Sequence, residues 1–497
     1  MTGEQLPLPA SSGNLTKSVN TLLFKLFNSL TVNATRFIAV TLAVRYMTKE
    51  DFGLYTSITN LVLLFVAFGN LGIPTSTTQH MSHFLYKNQD MRSAKGVFVT
   101  SAWFRICGTL LIGFLFLFFV PNYYQDDKVV SLLTIAVAML VLRSFDIWLE
   151  YGYAALQQYK QLFVFVTLPR EGLRIALVFA LIYWGFNSWR FIGVEVIVFL
   201  ISVLLACVAL TRQFYYVDTK KTDWRPFVRF ALTIAPTSLL VLSYERFNIF
   251  ILSEAVPLSE LAEYNAAYQL TALAATLIPV GSIAILPTFM SLGKERLNQL
   301  INMLMRLTVS IMLPIVLFLI FFGEVALSTL YGEKYIAAAP ILSVFSCLLV
   351  ERIISPTIQQ VLIALGKPKI ITLITVIGGG MNILLAIFLI DRLGVIGSAI
   401  ALVVSRFTVL ILQLGVLISE QFQIALTQIM VIILSSSIML IPFIGNIDSW
   451  VAQLMMFLIG LLIYGLILAR HVIPQDVVRA RIVANQTMQR WGIKFFS

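Results

Sequence analysis

The chain has 497 residues, of which 59% are hydrophobic and 12% charged, with a formal net charge of +11 and a mean hydropathy of +0.90. Soluble globular domains carry about a quarter charged residues, so this composition excludes one and indicates an integral membrane protein. The basic residues are spread through short loops rather than gathered in one patch, which speaks against nucleic-acid binding and for membrane topology signals.

At about 20 apolar residues per crossing, this length predicts roughly twelve to fourteen helices. Residues 1–16 are polar, contain Pro7 and Pro9, and read as a disordered cytoplasmic tail rather than a signal peptide. Span one is expected from Val19 to Val44. Span two runs from Gly53 to Phe84, with a bend at Gly72-Ile73-Pro74. Spans three to six follow at Val97–Val120, Val129–Leu156, Leu162–Trp184 and Phe191–Leu210. Together residues 17–211 form a first lobe, and a polar cytoplasmic loop, 212–226, closes it. The second lobe, 227–419, repeats the plan with spans at Phe227–Leu252, Tyr264–Leu292, Leu300–Phe322, Ala337–Leu365, Ile370–Ile390 and Val395–Ile418. Two further spans, Ile424–Ile444 and Trp450–Ala469, fill 420–470, and a basic cytoplasmic tail occupies 471–497. The fold class predicted is all-α: about fourteen transmembrane helices, as two pseudo-symmetric six-helix lobes plus two C-terminal helices.

The two lobes echo each other in sequence. Arg36-Phe37, Tyr55, Met81-Ser82, Arg143 and Lys160 return as Arg246-Phe247, Tyr264, Met290-Ser291, Arg352 and Lys369, at an offset of roughly 209–210 residues. Six spans per repeat is an even number, so the lobes share one orientation about an axis along the membrane normal. Placing both termini in the cytoplasm puts roughly eighteen Lys and Arg inside and about six outside.

Charges inside the spans narrow the function. A mid-membrane charge costs roughly 2.5–3.5 kcal/mol. Arg45, Arg190, Arg306 and Arg392 lie near span ends, where snorkelling is expected. Arg36, Arg143, Arg246 and Arg352 lie deeper and are candidate cavity cations. Lys25 joins them, being eleven residues before Arg36 and so about three turns away on the same face, with Asn33 beside it. Asp146, Glu150, Glu171 and Glu245 accompany these cations, either as internal ion pairs or as sites that couple a proton or another cation to transport. Glu195 is also intramembrane, and its partner in the repeat is Ala399. Tyr55 and Tyr264 offer rings that stack on sugars, or serve as interfacial belt residues. Cys107, Cys207 and Cys347 read as buried inert thiols, and the sequence shows no metal-ligand set, nucleotide loop or nucleophile–base constellation, so neither a metal nor a cofactor is expected.

Several stretches resemble the polysaccharide-type flippases of the MOP superfamily, the Wzx-like O-antigen and exopolysaccharide transporters. They are Met47 to Tyr55, ending Asp51-Phe52-Gly53-Leu54-Tyr55; Tyr331-Gly332-Glu333-Lys334-Tyr335 with Ala337-Ala338-Ala339-Pro340; Ala364-Leu365-Gly366-Lys367-Pro368-Lys369; and Gly394 to Ala401. The resemblance implies a non-enzymatic transporter that moves a polyprenyl-pyrophosphate-linked glycan by alternating access. It also implies a bacterial cytoplasmic (inner) membrane location, a coupling proton or Na+, and polysaccharide polymerase or assembly proteins as partners. Arg36 and Arg246 become the cavity cations that meet the pyrophosphate. The alternatives are a drug or organic-cation antiporter of the same superfamily and a membrane glycosyltransferase. The first predicts unpaired intramembrane acids, and the second large catalytic loops.

Overall fold

A computed structural model describes residues 12–123, 130–214, 217–220, 222–276, 293–444 and 449–471, and these are helical throughout with short connections. The acidic turn at Asp126-Asp127, the pair Met290-Ser291, and nearly all of both expected tails lie outside the described residues. The first half is built from α1 (Ser12–Tyr46), α2 (Lys49–Asn70), α3 (Ile73–Ser82), α4 (Met91–Tyr123), α5 (Leu133–Leu156), α6 (Leu168–Trp184) and α7 (Ser188–Phe214). The second half begins with α8 (Trp224–Ala255), α9 (Leu258–Thr276), α10 (Lys294–Phe321) and α11 (Gly323–Tyr331). It continues with α12 (Ala339–Ser346), α13 (Leu348–Ala364) and α14 (Pro368–Ser419). The last stretch holds α15 (Leu426–Ser436), α16 (Ile441–Ile444) and α17 (Trp450–His471).

Among the described residues, eight helical stretches are long and apolar enough to cross a membrane. One of them, α14, is 52 residues long and reverses at Gly394 (φ 57°), so it supplies two crossings, the expected spans eleven and twelve. Helix α6, of 17 residues, is too short to reach that mark, and charged and polar residues interrupt α1 and α5.

The expected bend in span two is the gap between α2 and α3. Leu71 and Gly72 take left-handed backbone (φ 40° and 71°), and Pro74 fits the first turn of α3. A Cβ on Gly72 would lie 2.3 Å from the carbonyl oxygen of Ala231 on α8. Arg105 of α4, fully buried, clamps this break. Its Nη1 donates to Gly69 O (3.2 Å) and Asn70 Oδ1 (2.9 Å), while Nε and Nη2 donate to Ser144 O on α5 (2.9 and 2.6 Å). The guanidinium thus satisfies carbonyls that the end of α2 leaves open. At the start of α4, Asp90 accepts from the Ser93 hydroxyl (2.6 Å) and the Arg92 and Ser93 backbone N–H groups (3.0 Å each). The Ser93 hydrogen bonds hold its carboxyl below the usual range.

The halves meet along α2 and α9. Gly53 permits backbone contact there, since a Cβ would lie 1.9 Å from Leu258 O. Asn265 Nδ2 donates to Thr56 Oγ1 at 2.8 Å. These two residues occupy the same position of the repeat, so their bond lies on the pseudo-twofold axis. One continuous apolar core runs through both halves, from Phe52 and Ile58 to Tyr264 and Phe345. A second core docks α15 and α17 on α10 and α13, with Asn302 bonding Gln423 O (2.6 Å) and Ala425 N (2.8 Å). Arg306 belongs here: it is buried and donates to Gln428, so it does not snorkel as expected.

At the end where α1 runs into α2, polar bonds tie the halves together. Lys49 pairs with Glu263, Arg45 donates to Thr329 O (2.8 Å), and Lys334 donates to the carbonyls of Arg45 (3.0 Å) and Met47. Arg45 is therefore a crossing contact, while Arg190 turns back onto Trp184 O and Gly185 O, and Arg392 covers the Phe388 ring at 4.3 Å. Cys107 is exposed on α4, against the expectation of a buried thiol.

Candidate functional site

Helix α1 presents Lys25, Asn28, Ser29, Val32, Asn33 and Arg36 to one cavity of about 360 Å³ inside the first half. Their spacing of three, four, seven, eight and eleven residues is one helical face, as the sequence predicts. The opposite walls carry Tyr55 and Thr59 from α2, Arg143 and Glu150 from α5, Arg170 and Arg174 from α6, and Glu195 from α7. Five cations and two carboxylates thus line the cavity. Two more carboxylates, Asp146 and Glu171, stand directly behind the arginines.

The arginines of the far wall are held in a chain of ion pairs. Arg143 pairs with Asp146. Arg170 reaches Asp146 (3.3 Å), Glu150 (3.3 Å) and Glu171 (2.8 Å), and Arg174 reaches Glu171 and Glu195 (3.1 Å). Ser202 on α7 donates to Asp146 Oδ1 at 2.6 Å, and Thr35 on α1 donates to Glu171 Oε2 at 2.6 Å. Burying unpaired ions costs several kcal/mol each, and this mutual pairing offsets that cost.

Arg36 differs from all of these. It makes no hydrogen bond or ion pair among the described residues, although Tyr55, Arg246, Glu195 and Arg143 lie within electrostatic reach. It also lines a second crevice, of about 180 Å³, between the halves, together with Arg246, Tyr268 and Gln269. Arg246 is engaged there: its Nη1 donates to Asn60 Oδ1 across the halves. Gln269 is the repeat counterpart of Asn60, at the same offset of 209 residues.

Arg36 and Arg246 thus line a common crevice between the halves. The larger charged cavity lies within the first half, because the polar face of α1 turns toward α5, α6 and α7. Arg36 and Arg246 share only the smaller crevice. Arg352 lines neither; its guanidinium covers the Tyr268 ring at 4.8 Å. Lys25 stands at the N-terminal end of the cavity, 6.0 Å from the Tyr159 ring centroid. Of the candidate coupling acids, Asp146, Glu150 and Glu171 join the ion-pair chain; the side chain of Glu245 lies outside the described residues. Tyr55 lines the cavity while packing edge-on against Phe191 at 4.8 Å. Tyr264 is 1% exposed with its ring edge-on to Phe345, so it has no face open to a sugar.

Sequence reasoning did not place Arg170, Arg174 and Glu195 in the site, and it missed Asn60 and Gln269. The repeat offset gives away the last pair. In the second half Asn248 and Asn382, both fully buried, exchange amide bonds of 3.2 and 2.7 Å, with Asn248 also reaching Ser398 O at 3.3 Å.

The sequence profile of the family described as polysaccharide biosynthesis protein matches residues 42–340, more than half of the chain. The chain belongs to this family. An uncharacterized membrane protein of Methanocaldococcus jannaschii is 27% identical over 177 residues, 35% of this chain and 34% of that protein, so the match spans about a third of the relative's length. Among solved structures, the lipid II flippase MurJ in an inward closed conformation superposes with a TM-score of 0.71 at 15% identity, over 91% of this family member and 99% of that chain. An inward-facing multidrug resistance MATE family transporter of the MOP superfamily gives 0.61 at 16% identity, over 78% and 93%. A MOP superfamily transporter from Pyrococcus furiosus, described as having a binding pocket of reversed polarity, gives 0.57 at 15% identity, over 80% and 94%. The family member is thus a multi-pass membrane protein with the fold of MOP superfamily transporters.

Proposed function

We infer that this protein is a flippase carrying a polyprenyl-pyrophosphate-linked oligosaccharide from the cytoplasmic to the outer leaflet of a bacterial cytoplasmic membrane, for assembly of a surface polysaccharide such as O-antigen or exopolysaccharide. The observation that carries this reading is Arg36, a deep guanidinium with no committed partner among the described residues, on the shared wall of the intralobe cavity and the interlobe crevice. A lipid diphosphate brings two negative charges, and arginine meets phosphate through two parallel N–H bonds. From Lys25 to Arg36 the polar face rises about 16 Å, giving the head group a capture point at the mouth and a holding point within. A volume of about 360 Å³ is at the low end for ligand pockets. It suits the head group, with the prenyl tail remaining in lipid. With the N-terminus cytoplasmic, the mouth opens inward and the Lys49–Glu263 contact closes the outer side. Opening that side frees Arg246 from Asn60, and the two arginines then share the substrate during rocking of the lobes.

Arg36 and Arg246 replaced together by Ala abolish translocation of a fluorescent short-chain prenyl-diphosphate glycan in proteoliposomes, while the protein still elutes as a single folded species. Retained translocation overturns the reading. The presence of Glu150 and Glu195 in the same cavity favours one rival, a MATE-like exporter of organic cations. Uptake of a cationic dye into the same proteoliposomes, unaffected by the diphosphate lipid, would establish that rival.

A further inference from the structure

Beyond Arg36 there is little polar room. The interlobe crevice continues with Phe37, Val40, Ala272 and Leu273 and holds about 180 Å³. A sugar attached to a diphosphate at Arg36 therefore lies on the mouth side, in the larger cavity. Bonds to α6 fix its level. Asn28 on α1 accepts from Thr167, just before α6, and Thr35 donates to Glu171 (2.6 Å). Arg170 lies between these two contacts and reaches Glu150 at 3.3 Å. Glu150 is thus level with the stretch of α1 between Asn28 and Thr35, on the mouth side of Arg36. Along α5 it stands seven residues from Arg143, about 10 Å, and the charge of Arg143 reaches Arg36. That separation matches the reach of a phosphate and one hexose ring.

The accessible charge at this level is negative. Arg170 is 4% exposed, and its N–H groups are spent on Asp146 (3.3 Å), Glu150, Glu171 (2.8 Å) and Ser202 (3.4 Å). The Glu150 side chain is 38% exposed; Oε1 accepts from Arg170, and Oε2 accepts no hydrogen bond among the described residues. Across the cavity α1 presents Asn28 and Ser29, both neutral. Lys25 lies about one turn nearer the mouth than Ser29. A carboxylate with an open oxygen accepts hydroxyl and amide N–H donors strongly. It repels a second carboxylate brought against it.

We propose that Glu150 determines specificity for the sugar next to the diphosphate: it accepts a hydroxyl or amide N–H of that sugar and turns away one that carries a carboxylate. This rests on the anion-binding reading above, in which Arg36 holds the diphosphate. The work of the cavity is then divided. Its cations recognise the diphosphate that all such lipids share, and Glu150 selects a neutral first sugar over an acidic one. A uronic acid at that position sets two carboxylates face to face in a confined cavity, which weakens binding at least about thirtyfold.

The test uses the full chain in detergent and titration calorimetry with ten-carbon prenyl diphosphate lipids bearing glucose, glucuronic acid or the methyl ester of glucuronic acid. The wild type is expected to bind the glucose and ester probes within about threefold of each other, and the acid at least about thirtyfold more weakly. Glu150→Gln keeps an oxygen for Arg170 and removes the charge. Its preference falls to about threefold or less, through tighter binding of the acid. Equal affinity of the wild type for the glucose and acid probes overturns the selectivity. An unchanged preference in Glu150→Gln overturns the assignment to Glu150. In either case the sugarless prenyl diphosphate, bound by the wild type and not by Arg36→Ala, shows the anion site still standing. Failure of the wild type to bind that sugarless lipid overturns the anion site and the proposal with it. Should Glu150→Gln not fold, the ester decides in the wild type: its acceptance supports charge as the cause, and its rejection along with the acid overturns the proposal.

Discussion

Arg36 and Arg143 share a cavity wall-to-wall, yet one is uncommitted and the other is locked to Asp146. Their substitutions therefore have different signatures. Arg36→Ala removes no hydrogen bond among the described residues, so stability changes by no more than about 0.5 kcal/mol, while transport is lost. Arg170→Ala takes a partner from Asp146 and Glu171 and leaves Glu150 without its ion pair, and costs roughly 3–5 kcal/mol, visible as a large drop in detergent melting temperature and poor expression. Equal losses of stability in the two variants would contradict this division. At this scale the sequence was half legible. Periodicity placed Lys25, Asn33 and Arg36 on one face, because that depends on a single helix. Which arginine is spent on which acid depends on how α5, α6 and α7 pack, and no pattern within one span encodes that.

Two glycines do the shaping at the level of helices. Gly72 is needed twice, for its left-handed backbone and for its approach to Ala231 O. Gly72→Ala pushes α3 away from α8 and lowers stability by about 1–3 kcal/mol; thermal unfolding followed by circular dichroism checks it. Gly53→Val has a similar cost by driving α2 off Leu258. The bend at Gly72-Ile73-Pro74 could be read in advance because glycine followed by proline interrupts a helix locally. The Arg105 clamp that makes the bend stable could not, since its partners Gly69, Asn70 and Ser144 come from two other helices. Arg105 is wholly engaged by carbonyl and amide oxygens.

For the molecule as a whole, the duplication was the most legible feature, because repeated residues keep a constant offset whatever the packing. It also misled. Equal sequence positions suggested equal roles for Arg36 and Arg246, and for Tyr55 and Tyr264, whereas among the described residues Arg246 is bonded to Asn60 and Arg36 is not bonded, and Tyr55 lines the cavity while Tyr264 is buried. The closed end offers a global test of motion. Lys49→Cys with Glu263→Cys, which replaces the ion pair between α2 and α9, allows oxidation to tie the halves together. Transport is expected to stop on oxidation and to return on reduction; continued transport in the cross-linked state would rule out separation of the halves at this end.

The bond between Thr56 and Asn265 has a corollary for assembly. It joins unlike residues at one repeat position, so a dimer of two first halves would set hydroxyl against hydroxyl there, and a dimer of two second halves amide against amide. Severed between α7 and α8 and produced as two polypeptides, the fragments carry their own pairing code and should find each other in preference to themselves.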